Sequence, residues 1–112
     1  MFDTARHSQL VDTVFARAPV VPVITIERIE DALPLCRALV DNGLPVLEIT
    51  LRTTCALDAI ALVARELPHA CVGAGTVLSA TDLANVSDAG ARFAISPGAT
   101  DALFDAAKAS RT

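Results

Sequence analysis

The sequence predicts an α/β fold built on a parallel sheet. Four short apolar segments begin near Val20, Val46, Cys71 and Phe93, and residues with helical periodicity follow each of them. The starts of these segments are 22 to 26 residues apart. Such regular alternation is typical of parallel strands joined by right-handed crossovers. A hydrophobic content of 53% also favours strands that are buried on both faces.

The first βα unit follows a predicted N-terminal helix. Residues 1–19 read as a short amphipathic helix with one apolar side, formed by Leu10, Val11, Val14 and Phe15. Residues 20–24 are β-branched apart from Pro22 and predict a short strand, although proline is unusual in a central strand. The next apolar positions recur at helical spacing and predict a helix that ends at Asn42-Gly43: Ile29, Ala32, Leu33, Cys36 and Val40.

The second unit starts with a strand over residues 46–52. Side chains alternate along a strand, so Glu48, Thr50 and Arg52 share one face while the other face is apolar. An ionisable group among apolar neighbours is costly unless a partner, a ligand or water compensates it. Glu48 is therefore the first candidate for a functional residue. We expect Thr53 or Thr54 to cap the following helix and Pro68 to stop it.

The last two units repeat this form. Residues 71–77 predict a strand, and Ser79 with Asp82 forms a capping-box pattern ahead of a helix that Gly90 closes. Residues 93–96 predict a fourth strand, and Thr100 is a suitable cap for the last helix.

Two architectures fit this order of elements. An open doubly wound sheet is complete within 112 residues, whereas a (β/α)8 barrel typically takes about 250. Polar residues nevertheless gather at the carboxyl ends of successive strands, which is where barrels build their active sites. The placement of these residues favours a partial barrel of about four βα units in one domain, residues 1–112. Such a half barrel leaves both sheet edges unpaired.

Composition excludes several functional classes. The net charge is −4 and the chain has no Trp or Tyr, which argues against a nucleic-acid partner. No apolar run approaches the roughly 20 residues of a membrane span. Three cysteines without a CxxC pair favour a reduced, cytoplasmic setting. His7 and His69 are isolated, so we expect no metal site. Gly73-Ala-Gly75 lacks the third glycine of a dinucleotide loop, so we expect no cofactor.

The motif Gly43-Leu-x-x-x-Glu48-Ile-Thr50-Leu-Arg52 resembles the active-site motif of the aldolases that cleave 2-keto-3-deoxy-6-phosphogluconate (KDPG) or 4-hydroxy-2-oxoglutarate (KHG). The stretches at 19–24, 72–78 and 89–98 are similar to that family as well, so the resemblance covers residues 18–108. It implies a class I aldolase on a (β/α)8 barrel, usually a homotrimer. The family's substrate is a small 2-oxo acid, cleaved through a Schiff base to pyruvate and an aldehyde.

The resemblance also implies roles for four residues. Glu48 matches the glutamate that moves protons, and Arg52 matches the residue that contacts the anionic group of the substrate. Thr76 matches a residue that hydrogen-bonds the pyruvyl carboxylate, and Pro97 would line the same pocket. Without the resemblance, Glu48 and Arg52 are simply the polar face of a strand, Thr76 is a turn hydroxyl and Pro97 stiffens a loop.

The Schiff-base lysine of the family has no counterpart here. Lys108 is the sole lysine and lies near the end of the last predicted helix, where nothing would lower its pKa. We therefore expect the 112-residue chain to be inactive alone, as the N-terminal half of such an aldolase. Two other interpretations remain: a non-enzymatic α/β domain of signalling-receiver size, and a truncated product without function.

Overall fold

The computed structural model of the chain describes residues 4–112. Its elements, in order, are α1 Thr4–Phe15, β1 Val23–Ile24, α2 Ile29–Asp41, β2 Val46–Thr50, α3 Ala56–Glu66, β3 Cys71–Gly75, α4 Ala80–Asp88 and α5 Asp101–Ala109. The predicted N-terminal helix is confirmed over residues 4–15, and its first three residues lie outside the described range. No described helix is both long enough and apolar enough to span a membrane.

The three strands form one parallel sheet in the order β1-β2-β3. In the register, Glu48 lies between Val23 on β1 and Gly73 on β3. The prediction of an α/β fold with a parallel sheet is confirmed. The fourth predicted strand is wrong in extent, because residues 93–96 form no regular strand and pair with β3 at one parallel bridge, between Ala74 and Ala94, with a further backbone hydrogen bond from Val77 to Ile95. A Ser-Pro-Gly turn at residues 96–98 ends the pairing, since proline has no N–H to donate.

The other three strands are each shorter than predicted. β1 begins at Val23 rather than Val20, because Pro22 cannot donate and contributes only its carbonyl, which accepts from the Glu48 amide at 3.0 Å. β2 ends at Thr50, so Arg52 lies in the turn beyond it. β3 ends at Gly75 because Thr76 has a positive φ of 60°, which no strand accommodates.

Two of the three predicted helix caps are confirmed. The Ser79 hydroxyl accepts from the Asp82 amide at 3.0 Å, and the Thr100 hydroxyl accepts from the Leu103 amide at 3.2 Å. The cap predicted at Thr53 or Thr54 is wrong. Cys55 is the N-cap of α3 and makes no side-chain cap bond. The Thr53 hydroxyl instead donates to the carbonyl of Ile26, so it joins two loops at the end of the sheet.

The helices α2 to α5 pack on one face of the sheet. Leu47 and Ile49 of β2 and Val72 and Ala74 of β3 point into this main core, which also contains Cys36, Ile60, Val86 and Leu103 from the helices. The opposite face holds a smaller cluster of Val46, Cys71 and Phe93. α1 reaches that face through Phe15, whose ring lies 5.6 Å from that of Phe93.

This one-sided arrangement decides which face of the sheet is available to a ligand. An open doubly wound sheet carries helices on both faces and reverses its strand order at a switch point. Here the strand order follows the chain without reversal and the four later helices cover one face. The other face is open near β1, where the side chain of Val23 is 61% exposed. Glu48 and Thr50 belong to this less covered face.

Candidate active site

Glu48 is a buried carboxylate in the middle of β2. The β-branched and leucine residues around it form a regular strand, whose alternation directs Glu48 away from the helices. Only 8% of the residue is exposed. Burial raises the pKa of Glu48, and the charge of the Arg52 guanidinium partly opposes this rise. Glu48 is thus a carboxyl group that holds its proton more readily than one in water.

The Glu48 carboxylate lies against the backbone of Gly75. A Cβ built on Gly75 would overlap the Glu48 Oε1 atom and lie 2.9 Å from its Cδ atom. No side chain or amide among residues 4–112 donates a hydrogen bond to this carboxylate. Its oxygens therefore remain available to an external donor, such as a substrate hydroxyl or water.

The Thr50 side chain forms hydrogen bonds within the sheet and is not exposed on the open face. It is 1% exposed, its hydroxyl donates to the carbonyl of Ile24 at 3.2 Å, and the Thr25 hydroxyl lies 3.3 Å from it. These bonds join β1 to β2 at the carboxyl ends of the strands. Thr50 thus stabilises the pairing next to Glu48.

Arg52 is exposed in the turn that follows β2. Within residues 4–112 its guanidinium takes part in no ion pair or hydrogen bond. Its positive charge lowers the pKa of Glu48 through a Coulombic interaction rather than through a hydrogen bond. A guanidinium with unused donors can bind a carboxylate or a phosphate in a bidentate manner.

Thr76 has a backbone conformation that the sequence did not predict. Its φ of 60° is rare for a β-branched residue, and residues held in this way cost about 1–3 kcal/mol and cluster at functional sites. The alternation of hydrogen bonds shifts at this residue: the Gly75 carbonyl accepts from Leu51 on one edge of β3 at 2.9 Å, whereas the Val77 amide donates to Ile95 on the other edge at 3.1 Å. Thr76 directly follows the glycine beneath Glu48. No sequence signal marks this conformation, because the pattern of residues 71–77 reads as a continuous strand.

Pro97 lies at the same end of the sheet, in the turn that follows the bridge between Ala74 and Ala94. It is exposed, in a turn where Ser96 Oγ donates to the Gly98 carbonyl at 2.8 Å. The structure thus brings Glu48, Gly75 and Thr76 together and places the charge of Arg52 nearby.

Lys108, the sole lysine of the sequence, belongs to a helix that packs on the opposite face of the sheet from Glu48. Lys108 is exposed on α5, where its Nζ lies 3.7 Å from Asp105. Among residues 4–112, no group of three His, Cys, Asp or Glu side chains could hold a metal ion. The described arrangement of Glu48 and Arg52 can accept and return a proton and attract an anion.

A family description, "Aldolase: KDPG and KHG aldolase", matches residues 11–112. The chain belongs to this family. The KHG/KDPG aldolase of Escherichia coli is 54% identical over 96 residues, which are 86% of this chain and 45% of that protein. The 2-dehydro-3-deoxy-phosphogluconate aldolase of Dickeya dadantii is also 54% identical over 96 residues. The chain therefore spans a little under half the length of the curated relatives that it matches.

Solved structures of KDPG aldolases are also similar to this chain. The KDPG aldolase of Legionella pneumophila, with pyruvate captured as a covalent carbinolamine, has a TM-score of 0.84 and 50% identity to this member of the family. The match covers 87% of this chain and 47% of that one. The aldolase of Zymomonas mobilis with 3-phosphoglycerate has a TM-score of 0.83 and 52% identity, over 88% and 47% of the two chains.

Proposed function

We propose that this chain forms the N-terminal half of a KDPG or KHG aldolase and supplies the proton-transfer group of the retro-aldol reaction. The observation that supports this most strongly is the state of Glu48. It is buried, its pKa is raised, and its carboxylate accepts no hydrogen bond from residues 4–112. A general base works best when its pKa lies near the working pH, and burial moves a carboxyl group in that direction.

In the proposed reaction, a lysine from outside residues 1–112 forms an iminium ion with the 2-oxo carbon of the substrate. Glu48 takes the proton of the C4 hydroxyl. The C3–C4 bond then breaks, its electron pair moves toward the iminium nitrogen, and an aldehyde and an enamine result. Glu48 returns its proton to C3 of the enamine, and water releases pyruvate from the lysine. The aldehyde is glyceraldehyde 3-phosphate from KDPG and glyoxylate from KHG.

The other candidate residues are proposed to bind the substrate. Thr76 would donate its hydroxyl to the pyruvyl carboxylate, and Arg52 would attract an anionic group of the substrate to the mouth of the site. Pro97 would line the same end of the pocket. Support comes from the guanidinium of Arg52, which has no ion pair or hydrogen bond within residues 4–112, and from the left-handed backbone of Thr76, which directly follows Gly75.

We further propose that the complete enzyme is a (β/α)8 barrel, a cytoplasmic homotrimer that needs no cofactor and acts on a small 2-oxo acid. The sequential strand order and the one-sided helices support the barrel. The net charge of −4 is consistent with the absence of a nucleic-acid partner. Light scattering would measure the oligomeric state of an active chimera that joins residues 1–112 to the remaining length of the Escherichia coli relative.

The test joins residues 1–112 to the remaining length of the Escherichia coli relative. In this chimera, Glu48→Gln should slow turnover of KDPG by about 100-fold or more, the usual scale for a general acid or base. Borohydride trapping of pyruvate should persist, because the lysine is intact. Glu66→Gln is the matched control, since Glu66 is a surface carboxylate that pairs with Arg65. Parent-like turnover of the Glu48→Gln chimera would remove Glu48 from its role.

A second measurement uses the 112-residue chain itself. With pyruvate and borohydride, we expect intact mass to show no adduct, because Lys108 is exposed and paired with Asp105. A stable adduct that maps to Lys108 would contradict the proposal that the amine lies outside this chain.

A further inference from the structure

Gly75 has no side chain at a point where the strand would ordinarily carry one. It lies in β3, opposite Thr50 in the register, and its backbone is not left-handed: the positive-φ glycines among residues 4–112 are Gly43 and Gly90. The backbone conformation at Gly75 therefore does not itself require glycine. A glycine in a strand interior weakens the strand and often marks a place where another group approaches closely.

The group that approaches Gly75 is the Glu48 side chain. A Cβ at Gly75 would overlap Oε1 and lie 2.9 Å from Cδ and 3.1 Å from Cγ. All three nearest atoms belong to Glu48, and all lie beyond its Cβ, in the part of the side chain that holds the carboxylate. The missing methyl group thus leaves the space that the carboxylate occupies.

Gly73 provides an internal comparison on the same face of the same strand. The three nearest atoms to a Cβ there all belong to the Phe93 ring, whereas the three nearest to a Cβ at Gly75 all belong to Glu48. Gly73 therefore accommodates a packing contact in the small cluster below the site. The sequence does not distinguish the two glycines, but in the structure Gly73 makes room for the Phe93 ring and Gly75 makes room for the Glu48 carboxylate.

We propose that Gly75 is a positioning residue for Glu48: it seats the carboxylate on the β3 backbone, at the depth from which the carboxylate acts on substrate. The catalytic meaning of this seat rests on the proposed function. With a methyl group at position 75, the carboxylate must rotate toward the open side of the face, where Val23 is exposed. A displacement of about 1 Å in a reacting group can cost about 100-fold in rate.

The kinetic test uses the chimera described above. Gly75→Ala should lower kcat for KDPG by about 100-fold and change KM by less than about threefold, because the substrate contacts remain. In a Glu48→Gln background, the same change should cost less than about threefold, since the group that it displaces is already disabled. A parent-like kcat for Gly75→Ala, or an equal loss in both backgrounds, would overturn the inference.

The structural test uses the 112-residue chain, with ¹³C NMR of the glutamate side-chain carboxyl groups and thermal unfolding. Gly75→Ala should lower the pKa of Glu48 toward its ordinary value, because the carboxylate moves into water. Gly73→Ala should lower the unfolding midpoint but leave the pKa of Glu48 in place. If Gly75→Ala folds poorly, the double variant Glu48→Ala with Gly75→Ala should restore the midpoint of the Glu48→Ala single variant, because alanine has no atom beyond Cβ to meet the new methyl group.

The outcomes separate this inference from the proposed function. Failure of the Glu48→Ala background to restore the midpoint would mean that the clash is not with Glu48, and the positioning role of Gly75 would be rejected. Parent-like kcat in Glu48→Gln would instead reject the proposed function itself. Slow turnover in Glu48→Gln together with a harmless Gly75→Ala would keep the proposed function and reject only the seat.

Discussion

The guanidinium of Arg52 lowers the pKa of Glu48 without forming an ion pair with it. The two residues are four positions apart, but β2 ends at Thr50 and the turn leaves Arg52 exposed at the rim of the face. Burial dominates over this charge, so the net effect on Glu48 is a raised pKa. The balance between burial and charge can be tested by changing Arg52 or by changing Glu48 itself.

Arg52→Gln should raise the pKa of Glu48 further, because the opposing positive charge is lost. In the chimera, the limb of the pH–rate profile that requires ionised Glu48 should move to higher pH. Arg52→Lys keeps the charge and should leave this limb close to its original position, although KM should rise because the bidentate donor is lost. An unchanged limb in Arg52→Gln would contradict the electrostatic coupling.

Glu48→Gln should stabilise the 112-residue chain at neutral pH. A carboxyl group whose pKa is raised on folding contributes fully below its ordinary pKa of 4.5 and loses that contribution as pH rises through the folded-state pKa. The difference in unfolding free energy between variant and parent should therefore be small at about pH 3 and largest near pH 7. Urea unfolding across this range measures it, with Glu66→Gln as the surface control. If the difference in unfolding free energy instead becomes smaller as pH rises, the pKa of Glu48 is lowered on folding and the prediction is wrong.

Thr76→Gly should be more stable than Thr76→Ala by about 1 kcal/mol, because glycine alone adopts the left-handed region without a Cβ penalty. Both variants lose the hydroxyl and should raise KM in the chimera. Exposed Thr81 in α4 is the matched control, where the order should reverse because glycine is the weaker helix former. Equal stabilities of the two position-76 variants would mean that the backbone relaxes when the threonine is removed.

Iodoacetamide at about pH 8 should modify Cys55 before the other two cysteines, since only the thiolate form reacts and access is required. Cys36 is fully buried and burial raises its pKa to about 11, and Cys71 is buried with a raised pKa despite Arg17 and Arg92. Cys55 is half-buried, and its Sγ donates to the Ile26 carbonyl at 3.1 Å. Mass spectrometry of peptides would follow the order, with a denatured sample as control. Equal rates of modification of the three cysteines in the folded chain would contradict the predicted order.

The sequence determined what depends on neighbours along the chain. The helix over residues 29–41, the caps at Ser79 and Thr100 and the strand around Glu48 follow from periodicity and local hydrogen bonds. Glu48 was recognisable because an acid between Leu47 and Ile49 is costly wherever it is buried. These features need no knowledge of distant residues.

The tertiary structure decided what depends on contacts across strands. Thr53 bonds to Ile26 rather than capping α3, because another loop lies within reach of its hydroxyl. Thr76 is left-handed where the alternation of hydrogen bonds along β3 shifts: the Gly75 carbonyl accepts from Leu51 on one edge, and the Val77 amide donates to Ile95 on the other. The seat of Glu48 on Gly75 joins residues 27 positions apart. Periodicity placed the acid on a face, but only the packing of β2 against β3 fixed where its carboxylate lies.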